Sequence, residues 1–184
     1  FLNVSLHTTE KNLVLLLHAF ALKFRDCSEV LLRLGGDGPQ TAELIQLSHQ
    51  LGIAKQVQFL GLLNRDQVRQ AMADANAFVL SSQVETFGVV LIEALAMGLP
   101  LVATRCGGPE DIVTPANGVL VEPGDPEQLA AAMQHVYCHS SDYDPVVLRK
   151  DCAGRFSEDT VTRQLLQGYR EVVNRSSPDA FGVM

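Results

Sequence analysis

Six short apolar runs, at residues 1–4, 30–34, 57–60, 77–80, 101–103 and 119–121, recur along the chain with amphipathic stretches between them. Each is too short for a core helix and mostly apolar on both faces, which is what a parallel strand buried between helices requires. The stretches between them carry the period of a helix instead. In residues 12–24, Leu13, Leu16, Leu17, Phe20 and Phe24 fall on one face. Residues 39–51, 66–74, 88–97, 126–137 and 158–173 repeat the pattern, with Pro39 suited to a first turn. Gly98 and Pro100 stop the fourth helix. No repeat of solenoid length is present. Strand–helix alternation joined by right-handed crossovers gives an α/β fold: an open parallel sheet of about six strands with helices on both faces.

A chain of 184 residues makes one domain and buries about 70% of its unfolded surface. The net charge of −7 sets a nucleic-acid binder behind other classes, since that class needs a basic surplus. No apolar run approaches the ~20 residues that span a membrane, and no signal peptide precedes the first strand. Cys27, Cys106, Cys138 and Cys152 lie at wide, irregular spacings without a CxxC pair. That usage suits reduced thiols in a cytoplasmic protein. The chain begins inside a strand and without methionine, so a piece of a longer protein is expected. Residues 175–184, rich in Ser, Pro and Asp, read as a flexible tail.

In open α/β sheets ligands bind outside the carboxyl ends of the strands. The chemically unusual segments all fall there. Gly35-Gly36-Asp37-Gly38-Pro39 allows close approach of backbone to a ligand, but also suits a plain tight turn. It matches neither the dinucleotide fingerprint nor a P-loop. Residues 81–88 run from strand to helix, and the first amides of that helix, at Thr86, Phe87 and Gly88, form an anion site. Glu85 precedes this helix and Glu93 lies in its apolar body, either as a solvated glutamate or as an acceptor for ligand hydroxyls. Lys11 opens the first helix, either as a surface lysine or as a point charge for phosphate. Gly107-Gly108-Pro109-Glu110 suits a strained turn before a helix start. Asp142-Tyr143-Asp144, the pair His135 and His139 beside Cys138, and His18 each imitate part of a metal or catalytic motif without its remaining members. No metal is expected.

Taken in order, Glu10-Lys11-Asn12, Leu34-Gly35-Gly36-Asp37-Gly38-Pro39, Phe59-Leu60-Gly61, the Glu85-x7-Glu93 pair with Thr86-Phe87-Gly88, Gly107-Gly108-Pro109-Glu110 and Gly118 through Asp125 resemble the C-terminal domain of retaining group 1 (family 4) glycosyltransferases. The resemblance runs over about residues 1–173. It implies a Rossmann-like domain, one half of a GT-B fold, that binds a nucleoside-diphosphate sugar (UDP- or GDP-sugar) as substrate with no further cofactor. Residues 1–174 would form that donor domain, ending in the helix at 158–173. In this family Lys11 would hold the diphosphate, Glu85 would lie by the donor sugar and Glu93 would take the ribose hydroxyls. The amides of Thr86, Phe87 and Gly88 would serve sugar and phosphate, Gly36 and Asp37 would line the site, and Leu62 and Leu63 would flank the base. The acceptor-binding N-terminal domain of the family is absent from this chain, so the isolated domain is expected to bind donor and transfer nothing. The whole enzyme is expected to be cytoplasmic, with any membrane attachment written in the missing half. One departure stands out: the family often has Gly-Arg shortly before the lysine, but the segment Val4-Ser5-Leu6-His7-Thr8-Thr9 has no arginine, leaving His7, Arg65 or Arg105 as substitutes. Alternatives are an epimerase-like nucleotide-sugar domain and a non-catalytic, degenerate transferase module.

Overall fold

Six strands form where the apolar runs are: β1 (Leu2–Val4), β2 (Leu32–Gly35), β3 (Val57–Gly61), β4 (Phe78–Leu80), β5 (Leu101–Thr104) and β6 (Gly118–Val121). The computed structural model describes residues 1–176. All neighbouring strands pair in parallel, in the order β3-β2-β1-β4-β5-β6. The helices are α1 (Leu13–Phe24), α2 (Thr41–Gln50), α3 (Arg65–Ala73), α4 (Val89–Ala96), α5 (Pro109–Ile112), α6 (Pro126–Cys138), α7 (Pro145–Phe156) and α8 (Glu158–Ser176). The expected Rossmann-like α/β architecture is therefore present.

The core follows from the strand pattern. Leu2, Leu32, Leu34, Phe78, Val79 and Leu101 are fully buried in the sheet. Against them, α1 contributes Leu13, Leu16, Leu17 and Phe20, all without exposed surface. α1 packs on α6 and α2, while α4 packs on α7 and α5. Caps set the helix starts. Asn64 and Gln67 form a reciprocal capping box on α3. Asp125 caps α6 and Asp144 caps α7, each followed by a proline in the first turn.

Three details differ from expectation. Pro39 lies outside α2, whose N-cap is Gln40, because residues 35–39 are held in the turn that leaves β2. α7 was not expected: its buried face is only Leu148 and Cys152, too thin a stripe to register as helical periodicity. The last helix continues through Ser176, past the expected start of the tail, since it carries through Gly168 and no further glycine or proline follows before Pro178. The rest of the expected tail, 177–184, lies outside the described residues.

The strand order places the site. Connections run outward through β1, β2 and β3, then return to β4 beside β1 and run the other way. At that reversal the loops after β1 and β4 part in opposite directions and leave a crevice above the sheet.

Candidate functional site

Lys11 and Glu85 come from the two sides of this crevice. Lys11 ends a short 3-10 turn after β1, followed by Asn12 at φ 49°. The turn is tied to the end of β4: Ser81 Oγ donates to the Lys11 carbonyl (2.9 Å), and the Gln83 amide donates to the Glu10 carbonyl (2.7 Å). Glu85 is held by the loop after β5. Its amide donates to the Cys106 carbonyl at 2.9 Å, and its own carbonyl accepts from the Gly108 amide at 2.7 Å. With both backbones fixed, Lys11 Nζ meets Glu85 Oε2 at 2.7 Å. Together with Val4, Ser5 and residues 86–88 they line a cavity of about 300 Å³ at the start of α4. Gly88, at φ 87°, turns the chain into α4.

The glycine pairs are clearances for backbone, not only flexible turns. A Cβ on Gly108 would lie 2.3 Å from Phe87 Cα, and one on Gly107 would lie 2.7 Å from the Glu85 carbonyl oxygen. The loop after β5 can approach residues 85–87 only because both side chains are hydrogen. Likewise Gly36, at φ 121°, would place a Cβ 1.9 Å from the Ser5 oxygen. Its amide donates to the Gly61 carbonyl at 2.8 Å. These contacts lace the loops after β1, β2 and β3 together.

Asp37 is engaged within its own turn. Its Oδ1 accepts from the Thr41 hydroxyl (2.5 Å) and the Gly38 amide (2.8 Å). The Thr41 hydroxyl, then the Gly38 amide, hold this carboxyl below its ordinary range. Thr41 also meets His7 Nδ1 at 2.8 Å. Because the hydroxyl gives its proton to Asp37, Nδ1 is the donor in that contact, and Nε2 is left as a bare acceptor. Nε2 is buried and has no hydrogen-bond partner. Burial lowers the His7 pKa, more than the nearby Asp37 raises it. The sequence reading missed this His7–Thr41–Asp37 relay; the only sign was a histidine directly after the first strand.

Glu93 stands apart from Glu85. It is exposed on α4 and lines a second cavity, of about 330 Å³, with Arg65, Arg69, Val68 and Met72. Of the two readings open for it, the solvated one describes its surroundings here: the carboxylate faces out of the apolar helix into the cavity shared with α3. The two cavities share α4: Val89 and Val90 line the first, and Glu93, Ala96 and Met97 the second. Leu62 is 74% exposed after β3. Leu63 instead packs over Gly35, where a Cβ would lie 2.7 Å from Leu63 Cδ1.

The three candidate substitutes for the missing arginine separate cleanly. His7 is inside the protein and disfavours charge. Arg105 is paired with Glu122 (3.4 Å) and Glu110 (3.9 Å). Arg65 opens onto the Glu93 cavity. The metal-like motifs have structural roles. Asp144 caps α7 through Val146, and His139 Nδ1 bonds the His135 carbonyl at 2.8 Å. Among the described residues no cluster of three or more His, Cys, Asp or Glu is arranged to hold a metal.

Known proteins share this chain's sequence and fold. The family model for glycosyl transferases group 1 matches residues 1–144. The lipopolysaccharide core biosynthesis glycosyltransferase LpsE of Rhizobium meliloti is 34% identical over 141 residues, covering 75% of this chain and 41% of that protein. The D-inositol 3-phosphate glycosyltransferase of Mycolicibacterium vanbaalenii is 32% identical over 151 residues, covering 79% of this chain and 33% of its own length. Among solved structures, HepE of Anabaena in complex with UDP superposes with a TM-score of 0.80 at 26% identity, over 92% of this chain and 48% of that one. The chain thus spans less than half of each of these proteins.

Proposed function

Because the chain belongs to the group 1 glycosyl transferases, we propose that it is the donor-binding domain of a retaining enzyme that moves a sugar from a nucleoside diphosphate to an acceptor hydroxyl. The observation that carries this reading is the Lys11–Glu85 pair, 2.7 Å apart, set at the strand-order reversal beside the start of α4. A diphosphate fits Lys11 and the amides of residues 86–88. A sugar fits Glu85, just before α4, and the ribose hydroxyls fit Glu93, within it. Structural relatives solved with UDP and with UDP-glucose support a nucleotide-sugar ligand.

The chemistry follows from charge. As the anomeric C–O bond breaks, the sugar gains oxocarbenium character and the leaving diphosphate gains negative charge. Lys11 and the amides of residues 86–88, just before α4, would stabilise that charge, which is electrostatic catalysis by fixed groups with no metal required. The acceptor, bound by an N-terminal domain of a longer protein, attacks from the face the diphosphate leaves, so configuration is retained. In this reading the chain alone binds donor and transfers nothing. The whole enzyme works in the cytoplasm, at most peripherally on the inner face of a membrane.

Calorimetric titration with UDP, GDP and ADP tests the reading. One nucleotide binds saturably, and Glu93→Ala weakens it about ten- to a hundredfold, the range for a hydrogen bond to a charged group. Absence of binding by all three, or an unchanged affinity in the variant, contradicts it.

A further inference from the structure

Lys11 and Glu85 are expected to act on different parts of the donor, yet they hold each other. We infer that this pair makes the site discriminate: it favours a nucleoside diphosphate that still carries its sugar over the free nucleoside diphosphate. The inference rests on the donor-binding reading above and concerns the same cavity.

The side chains of Lys11 and Glu85 are 26% and 15% exposed, so their contact is only partly screened by water. The backbone that carries each of them is held in place. Glu85 is pinned at both its amide and its carbonyl by the loop after β5, and the Lys11 carbonyl is pinned by Ser81. A phosphate that draws the ammonium group must take it from the carboxylate. The carboxylate, mostly out of water, then loses its cation and gains an anion as neighbour, which is costly unless new donors reach it.

A free nucleoside diphosphate offers none there. Its phosphate oxygens are acceptors and repel Glu85. A ligand with the sugar attached carries hydroxyl groups beside the phosphate, and these donate to Glu85 as Lys11 moves over to the diphosphate. Exchange of partners is then complete on both sides. The same arrangement weakens the grip on the nucleoside diphosphate once its sugar has left, which favours release of that product over its retention. Residues 4–9, the segment before the lysine turn, carry no arginine or lysine to supply a compensating charge.

The test is calorimetry on the full chain with UDP and UDP-glucose, using wild type, Glu85→Gln and Lys11→Met, each checked for folding by circular dichroism. If another base is the one bound, the matching diphosphate and sugar diphosphate replace these two. Wild type prefers the sugar nucleotide. Glu85→Gln keeps the shape, frees Lys11, tightens UDP about tenfold and removes the preference. Lys11→Met weakens both ligands. Glu85→Asp, one methylene shorter, moves UDP affinity in the same direction as Glu85→Gln and stands in if the amide variant does not fold. Nucleotide binding with UDP affinity unchanged or reduced in Glu85→Gln overturns this inference alone. Failure of every diphosphate and sugar diphosphate to bind wild type overturns the donor-binding reading, and this inference with it.

Discussion

His7 has no exposed surface, and its Nε2 has no hydrogen-bond partner, so the ring is stable inside the protein only while neutral. Its pKa is lowered from the ordinary 6.5, by burial first and against the attraction of Asp37. The sign follows. As the pH drops through 6.5 the unfolded chain takes up a proton that the folded chain still refuses, so stability falls there and levels off only when the folded ring titrates. Urea midpoints at pH 7.5, 6.5 and 5.5 should fall steadily, and His7→Gln should flatten that slope; equal slopes in the two proteins would remove His7 as the cause. Asp37 acts in a lower window. Its carboxyl is held below the ordinary range by Thr41 and Gly38, so its contribution is present above that range and is lost on further acidification. Gly108 gives a residue-scale prediction of another kind. Its missing Cβ would lie 2.3 Å from Phe87 backbone atoms. Gly108→Ala therefore must push the β5 loop off residues 85–87. We expect a loss of about 1–3 kcal/mol in stability together with weakened nucleotide binding, whereas Gly154→Ala, in open space on α7, should do neither.

At the scale of elements, α7 earns its place through polar contacts more than through a broad apolar face. Arg155 near its end donates to the carbonyls of Asp111 (2.6 Å) and Ile112 (3.0 Å), pairs with Asp151 (3.2 Å), and lies 4.6 Å from the Phe156 ring. These contacts clamp α7 onto α5, next to the loop that holds Glu85. Arg155→Met keeps much of the stem but leaves the Asp111 carbonyl without its donor and the Ile112 carbonyl with Asn117 Nδ2 alone, and a cost of about 1–3 kcal/mol is expected by chemical denaturation. A cost below about 0.5 kcal/mol would mean that water replaces the guanidinium freely. The same helix shows where reading from sequence stops. The six strands were legible because each is short and mostly apolar, and α1 because five of its large side chains share a face. α7 was not, because Leu148 and Cys152 alone are buried, although Asp144-Pro145 announced its start. The site divided in the same way. Lys11, Glu85, Glu93 and the glycine pairs could be picked out as unusual at strand ends. Spacing says nothing about who meets whom, however. The Lys11–Glu85 contact spans 74 positions and the His7–Thr41 contact 34, and only the order β3-β2-β1-β4 brings the first pair together.

Over the whole molecule, the apolar side chains divide into two populations with different consequences. One lies between the sheet and its helices; Leu16, for example, has no exposed surface. The other lines α8, where Leu165 is 56% exposed and Tyr169 67% exposed, with Val161 and Val173 continuing the stripe. Among the described residues, α8 packs mainly on α7. The scaffold that carries the site should therefore not depend on that stripe. Leu16→Ala should cost about 2–5 kcal/mol, a large share of the roughly 5–15 kcal/mol that holds a domain together. Leu165→Ser combined with Tyr169→Ser should cost less than about 1 kcal/mol in this chain, since each removes little buried area. The same double variant should also bind nucleotide within about twofold of wild type, because twofold is only about 0.4 kcal/mol and no α8 residue lines either cavity beside α4. Urea denaturation and calorimetry on the three proteins read both quantities at once. A double variant as unstable as Leu16→Ala would show that the α8 stripe belongs to the core. One that stays stable but loses nucleotide would instead couple the last helix to the crevice between β1 and β4.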